Sequence, residues 1–123
     1  MKKVHILYQN TDGDKKKFMI QRRGCFDFVL KKNYQIINES VIRNFTQYEK
    51  VMSNIIKDAM ENKLDIVLVF KAENLGRDKM EVFAAIDWFS NKNIEVWSVM
   101  EGVQKIDAET KKKIELIYSL ECD

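Results

Sequence analysis

Residues 66–70 read Ile-Val-Leu-Val-Phe, apolar at every position, and no other stretch constrains the chain as much. A strand with one wet face alternates apolar and polar residues. An unbroken apolar run fits a strand covered on both faces, at the centre of a parallel sheet. Parallel neighbours cannot be joined by tight hairpins and need long crossovers, which helices supply.

The rest of the chain provides those crossovers. Val4 to Tyr8 reads as a buried strand that ends in the polar loop Gln9-Asn10-Thr11-Asp12-Gly13. A helical pattern runs from Lys15 to Lys32, weakened in its middle by Gly24. A second strand is expected over Tyr34 to Ser40. Gln47 to Asn62 then carries Val51, Met52, Ile55, Ile56, Ala59 and Met60 at three-to-four-residue intervals, one face of a helix. A third helix is predicted over Lys79 to Asn91, burying Val82, Phe83, Ile86 and Phe89, and a fourth strand over Ile94 to Met100. Asp107 is the expected N-cap of a last helix, with Glu109 well placed against its dipole. Strands recur about every 30 residues, the length of a βαβ unit. The expected architecture is α/β with a mostly parallel sheet.

With 123 residues, 46% of them hydrophobic and 33% charged, the chain is expected to form a single domain, 1–123, with one core. No apolar run is long enough to span a bilayer, so a cytoplasmic protein without membrane attachment is expected. A net charge of +2 is far from the excess of a dedicated DNA-binding domain. The runs Lys15-Lys16-Lys17 and Lys111-Lys112-Lys113 read first as solvated helix faces. Cys25 and Cys122 lack metal-ligand spacing, and His5 has no second histidine or cysteine to complete a zinc site. No cofactor is expected.

In open sheets of this kind ligands bind at the carboxyl ends of the strands. Those ends deliver residues 9–14, 39–43, 71–78 and 100–102.

The segment from Asp65 to Asp78, a strand running into Lys71-Ala72-Glu73-Asn74-Leu75-Gly76-Arg77-Asp78, resembles the serine site-specific recombinases (resolvases and invertases). There a strand ends in an Asp-Arg-Leu-x-Arg loop. The helix from Glu49 to Asn62 aligns without gaps to the family helix ahead of that strand. Tyr8, with Ile20-Gln21 downstream, matches the first strand and first helix. The resemblance covers about residues 1–120 and implies a three-layer α/β/α catalytic-type domain with about four to five strands. The family places a DNA-binding module, or a long extension of the final helix, after this domain; here, with the sequence stopping at Asp123, no separate DNA-binding domain is expected.

In that family a serine attacks a DNA phosphodiester and arginines stabilise the charge on its oxygens. The family's Tyr-x-Arg-x-Ser begins at Tyr8, which puts its arginine on Asn10 and its serine on Asp12. A frame shifted by two residues uses Tyr8 and Asn10 and restores neither. The arginine of the Arg-Pro motif falls on Glu49, and the Asp-Arg of the loop becomes Glu73-Asn74. Only Arg77 remains of the phosphate-binding set, and it is expected to cap a helix or pair with Glu73. Thr11 is the nearest hydroxyl.

The resemblance therefore implies a degenerate, non-catalytic domain in DNA recombination of a mobile element, acting by association with itself or with a recombinase. The last helix, with Ile114, Ile117 and Tyr118, is the expected partner-binding surface, extended by Leu116 and Leu120. Three alternatives stand beside it: an active recombinase domain relying on a larger protein, a metal-dependent enzyme holding Mg²⁺ on Asp12, Asp14 and Glu73, and a regulator binding DNA weakly through its lysine faces.

Overall fold

The computed structural model describes residues 1–61 and 63–121, apart from the side chains of Tyr118, Leu120 and Glu121. The elements in chain order are β1 (Lys3–Gln9), α1 (Lys15–Lys32), β2 (Gln35–Ile42), α2 (Tyr48–Met60), β3 (Ile66–Val69), α3 (Lys79–Asn91), β4 (Glu95–Ser98), β5 (Gly102–Gln104) and α4 (Ala108–Glu121). Short 3₁₀ turns at Phe45–Gln47 and Ala72–Leu75 precede α2 and α3. The five strands form one sheet in the order β2-β1-β3-β4-β5, parallel from β2 to β4 and antiparallel only at β5.

The all-apolar run occupies the middle of that sheet, and its alternation serves both faces. Ile66 and Leu68 join Val4, Ile6 and Tyr8 of β1 against Cys25 and Val29 of α1. Val67 and Val69 turn the other way, onto Met52 and Ile55 of α2 and Val82, Ile86 and Phe89 of α3. The result is a three-layer α/β/α domain. Phe83 is only partly buried, and Ala85 takes the core position beside Val82.

Helix starts are fixed by carboxylates that accept orphan backbone N–H groups. Asp14 accepts from Lys16 N at 2.9 Å and Lys17 N at 3.2 Å. Asp78 accepts from Glu81 N at 2.8 Å, and Asp107, as expected, accepts from Thr110 N at 2.7 Å. At the far end of α1, Asn33 closes the helix in the left-handed conformation, with φ of 57°. Gly24 in mid-helix has a packing reason: a Cβ there would lie 2.6 Å from Cε1 of Phe70.

Two expectations are corrected. The strand predicted over Ile94 to Met100 breaks after Ser98, and the chain turns back as β5. Gly102 makes the turn at φ of +86°, a region that favours glycine. The Ser98 hydroxyl lies 2.6 Å from Oε2 of Glu101 and closes the hairpin. Strand β2 runs two residues past Ser40, because Ile42 still accepts a hydrogen bond from Asn10 N at 2.9 Å and is fully buried.

Among the described residues, no helix is long and apolar enough to cross a membrane. Cys25 is a buried free thiol whose pKa burial pushes up to about 12, while Cys122 lies outside the described residues.

Candidate functional site

The carboxyl ends of β1 and β3 open into a crevice of about 430 Å³. It is lined by Gln9, Thr11 and Asp12 after β1, by Lys17, Ile20 and Gln21 of α1, and by Phe70, Lys71, Glu73 and Asn74 after β3. Gln21 fixes the floor: its amide nitrogen donates to Gln9 O at 2.8 Å and its oxygen accepts from Gln9 N at 3.2 Å. The Gln9 side chain reaches across to Gly76 O at 3.2 Å, tying β1 to the loop after β3. A second tie comes from Glu101, whose carboxylate accepts from Ala72 N at 2.8 Å.

Asp12 sits at the mouth. It accepts from Asp14 N at 3.0 Å and pairs with Lys17 Nζ at 3.0 Å. The backbone N–H of Asp14, and then the Lys17 ammonium, hold its carboxyl below the usual carboxylate range, so it is ionised at neutral pH. Asn10 points the other way, into the protein: it is 8% exposed, and its Oδ1 is buried without a hydrogen-bond partner. Asn74 is also buried, its Oδ1 accepting from Lys71 N at 2.9 Å, which shapes the turn under the crevice. Beside the crevice Tyr8 donates its hydroxyl to Glu39 Oε1 at 2.7 Å, and Arg22 grips the same carboxylate at 3.1 and 3.3 Å. Burial, and then Glu39, push the Tyr8 phenol up, so it stays protonated.

The crevice gathers Thr11, Asp12, Glu73 and Asn74 from the sequence-derived set and leaves out Asn10, Asp14, Glu49 and Arg77. Glu49 is exposed in the first turn of α2. Arg77 pairs with Glu81, not Glu73: its Nη2 lies 2.6 Å from Glu81 Oε2, and its backbone N–H donates to Oε1 at 2.8 Å. That pair turns the guanidinium onto α3, into a neighbouring hollow rather than the crevice. The metal alternative loses its geometric basis, because Asp14 is engaged as a helix cap and Asp12 as an ion pair. Among the described residues, no three His, Cys, Asp or Glu side chains group as metal ligands. Ile114 is 2% exposed and spent on the core of its own domain, while Leu116 is exposed and Ile117 half-buried. The Tyr118 and Leu120 side chains lie outside the described residues.

Lys71 lies in the 71–78 segment expected at the strand ends, whereas Lys17 and Phe70 line the site although no strand-end argument singled them out. Gln21, noted only as a point of resemblance, is the residue that clamps the floor.

A parallel α/β/α sheet with its working crevice at the ends of β1 and β3, followed by an antiparallel edge strand and a final helix, is the architecture of a recombinase catalytic-type domain. The family profile "Resolvase, N terminal domain" matches residues 9–120, and the chain belongs to that family. Solved structures agree on the fold. The N-terminal catalytic domain of TP901-1 integrase superposes with a TM-score of 0.71 at 19% identity, covering 98% of this chain and 94% of that one. A resolvase family site-specific recombinase from Streptococcus pneumoniae gives 0.73 at 16% identity, covering 98% and 88%. The C-terminal catalytic domain of ISC1926 TnpA, an IS607-like serine recombinase, gives 0.68 at 17% identity, covering 96% and 79%. No curated protein matches the sequence.

Proposed function

We propose that this resolvase-family domain does not cut DNA itself and acts in DNA recombination by association, with a second copy or with a recombinase subunit. One observation carries the reading. Where the family's serine and its neighbouring arginine fall, the chain has an ionised Asp12 held by Lys17 and a buried, neutral Asn10. A phosphodiester approaching this crevice meets the Asp12 and Glu73 carboxylates, with Lys71 the lining cation beside Lys17. Lys17 is already engaged, and Arg77 is held by Glu81. Fixed positive charge around the phosphate is the largest contribution expected in such chemistry, and of the aligned arginines only Arg77 is kept, paired with Glu81.

The association surface we assign is the outer side of α4, where Leu116 stands exposed and Ile117 half-buried. Sedimentation velocity from low micromolar to submillimolar protein tests self-association, with Leu116→Asp as the probe. A reversible dimer that Leu116→Asp weakens about tenfold or more supports the assignment. If the chain stays monomeric throughout, and fails to bind a purified recombinase catalytic domain as well, association through this face is refuted.

A further inference from the structure

His5 is the only histidine in the sequence, and in β1 it is fully buried yet not packed as a simple core residue. Its Nδ1 lies 2.7 Å from Oδ2 of Asp58 on α2, and its Nε2 lies 2.7 Å from Oγ of Ser40 on β2. A carboxylate only accepts, so Nδ1 carries the ring proton. Burial lowers the histidine's pKa more than Asp58 raises it, so the ring is neutral at neutral pH. Nε2 is then a bare acceptor, and the Ser40 hydroxyl donates to it. Asn38 donates to the same Asp58 oxygen at 3.4 Å, adding to its hold.

This is the order of groups that activates a serine: hydroxyl, imidazole base and orienting carboxylate, each in hydrogen-bond contact with the next. The relay lies on the α2 side of the sheet, apart from the residues that line the crevice. Ser40 is half-buried, on a strand that has a sheet neighbour on one side only. Ile42 O accepts from Asn10 N and so faces β1. By strand alternation Val41, next to Ser40, aims its N–H at the open edge, where it can donate to a developing oxyanion.

We propose that Ser40 is a base-activated nucleophile that takes an acyl group from a small carboxylic ester at the open edge of the sheet. In the acylation step Ser40 Oγ bonds to the ester carbon and its proton passes to His5 Nε2. The ester C–O bond breaks, and the alcohol leaves with that proton. Water, deprotonated by His5, then releases the acid and restores the hydroxyl. The inference is independent of any role in recombination, since it uses none of the crevice residues.

The test is labelling of the intact folded chain by an alkyl fluorophosphonate, which bonds to an activated serine with loss of fluoride. Intact mass and peptide mapping read the site. The expected result is one adduct, on Ser40, absent from Ser40→Ala and from urea-unfolded protein. Asp58→Asn, which removes the carboxylate orienting the ring, is expected to slow labelling about 100-fold. Thermal melts confirm that each variant is folded. The wild-type rate should also fall as pH drops and His5 is protonated, a readout that needs no variant. No adduct on the folded chain, an adduct elsewhere than Ser40, or equal rates for Asp58→Asn and wild type would each overturn the proposal.

Discussion

Replacing Gly24 by alanine sets two effects of known sign against each other, and the structure says which wins. In the middle of an exposed helix the exchange stabilises by about 1 kcal/mol. Here the added Cβ would stand 2.6 Å from Cε1 and 2.9 Å from Cδ1 of Phe70. Carbon atoms rest at about 3.5–4.0 Å, so the ring must retreat by about 1 Å. Overpacking of this kind costs about 1–3 kcal/mol. The net expectation is a loss of about 1 kcal/mol, or a fall in Tm of roughly 3–6 °C for a domain of this size. Urea unfolding of four proteins checks the reasoning: wild type, Gly24→Ala, Phe70→Ala and the double variant. With the ring removed, Gly24→Ala should change sign and become stabilising. If it destabilises equally in both backgrounds, or stabilises the wild type, the contact does not explain the glycine.

The remaining predictions concern charge, caps and the last helix. Burial lowers the pKa of His5 in the folded state, while in the unfolded chain it returns to about 6.5. Below that pH the unfolded state therefore binds more protons. Stability should be flat above about pH 7 and fall as pH drops below about 6.5, with a slope of at most about 1.4 kcal/mol per pH unit. Guanidinium unfolding between pH 7 and 5, compared with His5→Gln, isolates this slope from the carboxylates, which titrate lower. Asp14→Ala removes the acceptor for two N–H groups of α1 and should cost about 1 kcal/mol in the same assay, whereas an unchanged midpoint would mean that water replaces the cap. Ile114→Ala empties the site by which α4 enters the core and should cost about 2 kcal/mol or more. In hydrogen exchange the amides of α4 should lose protection before those of β3; simultaneous loss would show that α4 unfolds only with the core.

What the sequence made legible follows the range of each interaction. Helices α1 and α3 begin and end where the periodicity placed them, because Asp14 and Asp78 act within three residues of themselves. The central position of β3 was written in its own four apolar side chains, with Phe70 just beyond its end. The break between β4 and β5 was not, since both are short and the Ser98–Glu101 contact that closes them carries no periodic signal. Arg77 was misjudged for a related reason. Once α3 starts at Lys79, Glu81 lies in its first turn, within reach of both the Arg77 guanidinium and its backbone N–H. The resemblance found the loop that forms part of the crevice lining, through Lys71, Glu73 and Asn74. It did not reveal that Asn10 faces inward, nor that Lys17 neutralises Asp12, because burial and side-chain direction depend on α1 packing over β1. The His5 relay joins residues 35 and 53 positions apart, a separation that leaves no trace in local pattern.

The central claim is that this resolvase-family domain has lost the group that holds a cut DNA strand. A serine recombinase caught in the act carries nucleotide on a hydroxyl through a phosphoester, a bond that survives denaturation. The direct measurement is to express the chain in its host, strip the DNA with denaturant and nuclease, and search its peptides for attached nucleotide by mass spectrometry, alongside a purified active recombinase. The account predicts nucleotide on the active recombinase and none on any peptide of this chain. Nucleotide on Thr11, or on any other hydroxyl bordering the crevice, would contradict it and make the domain a working recombinase.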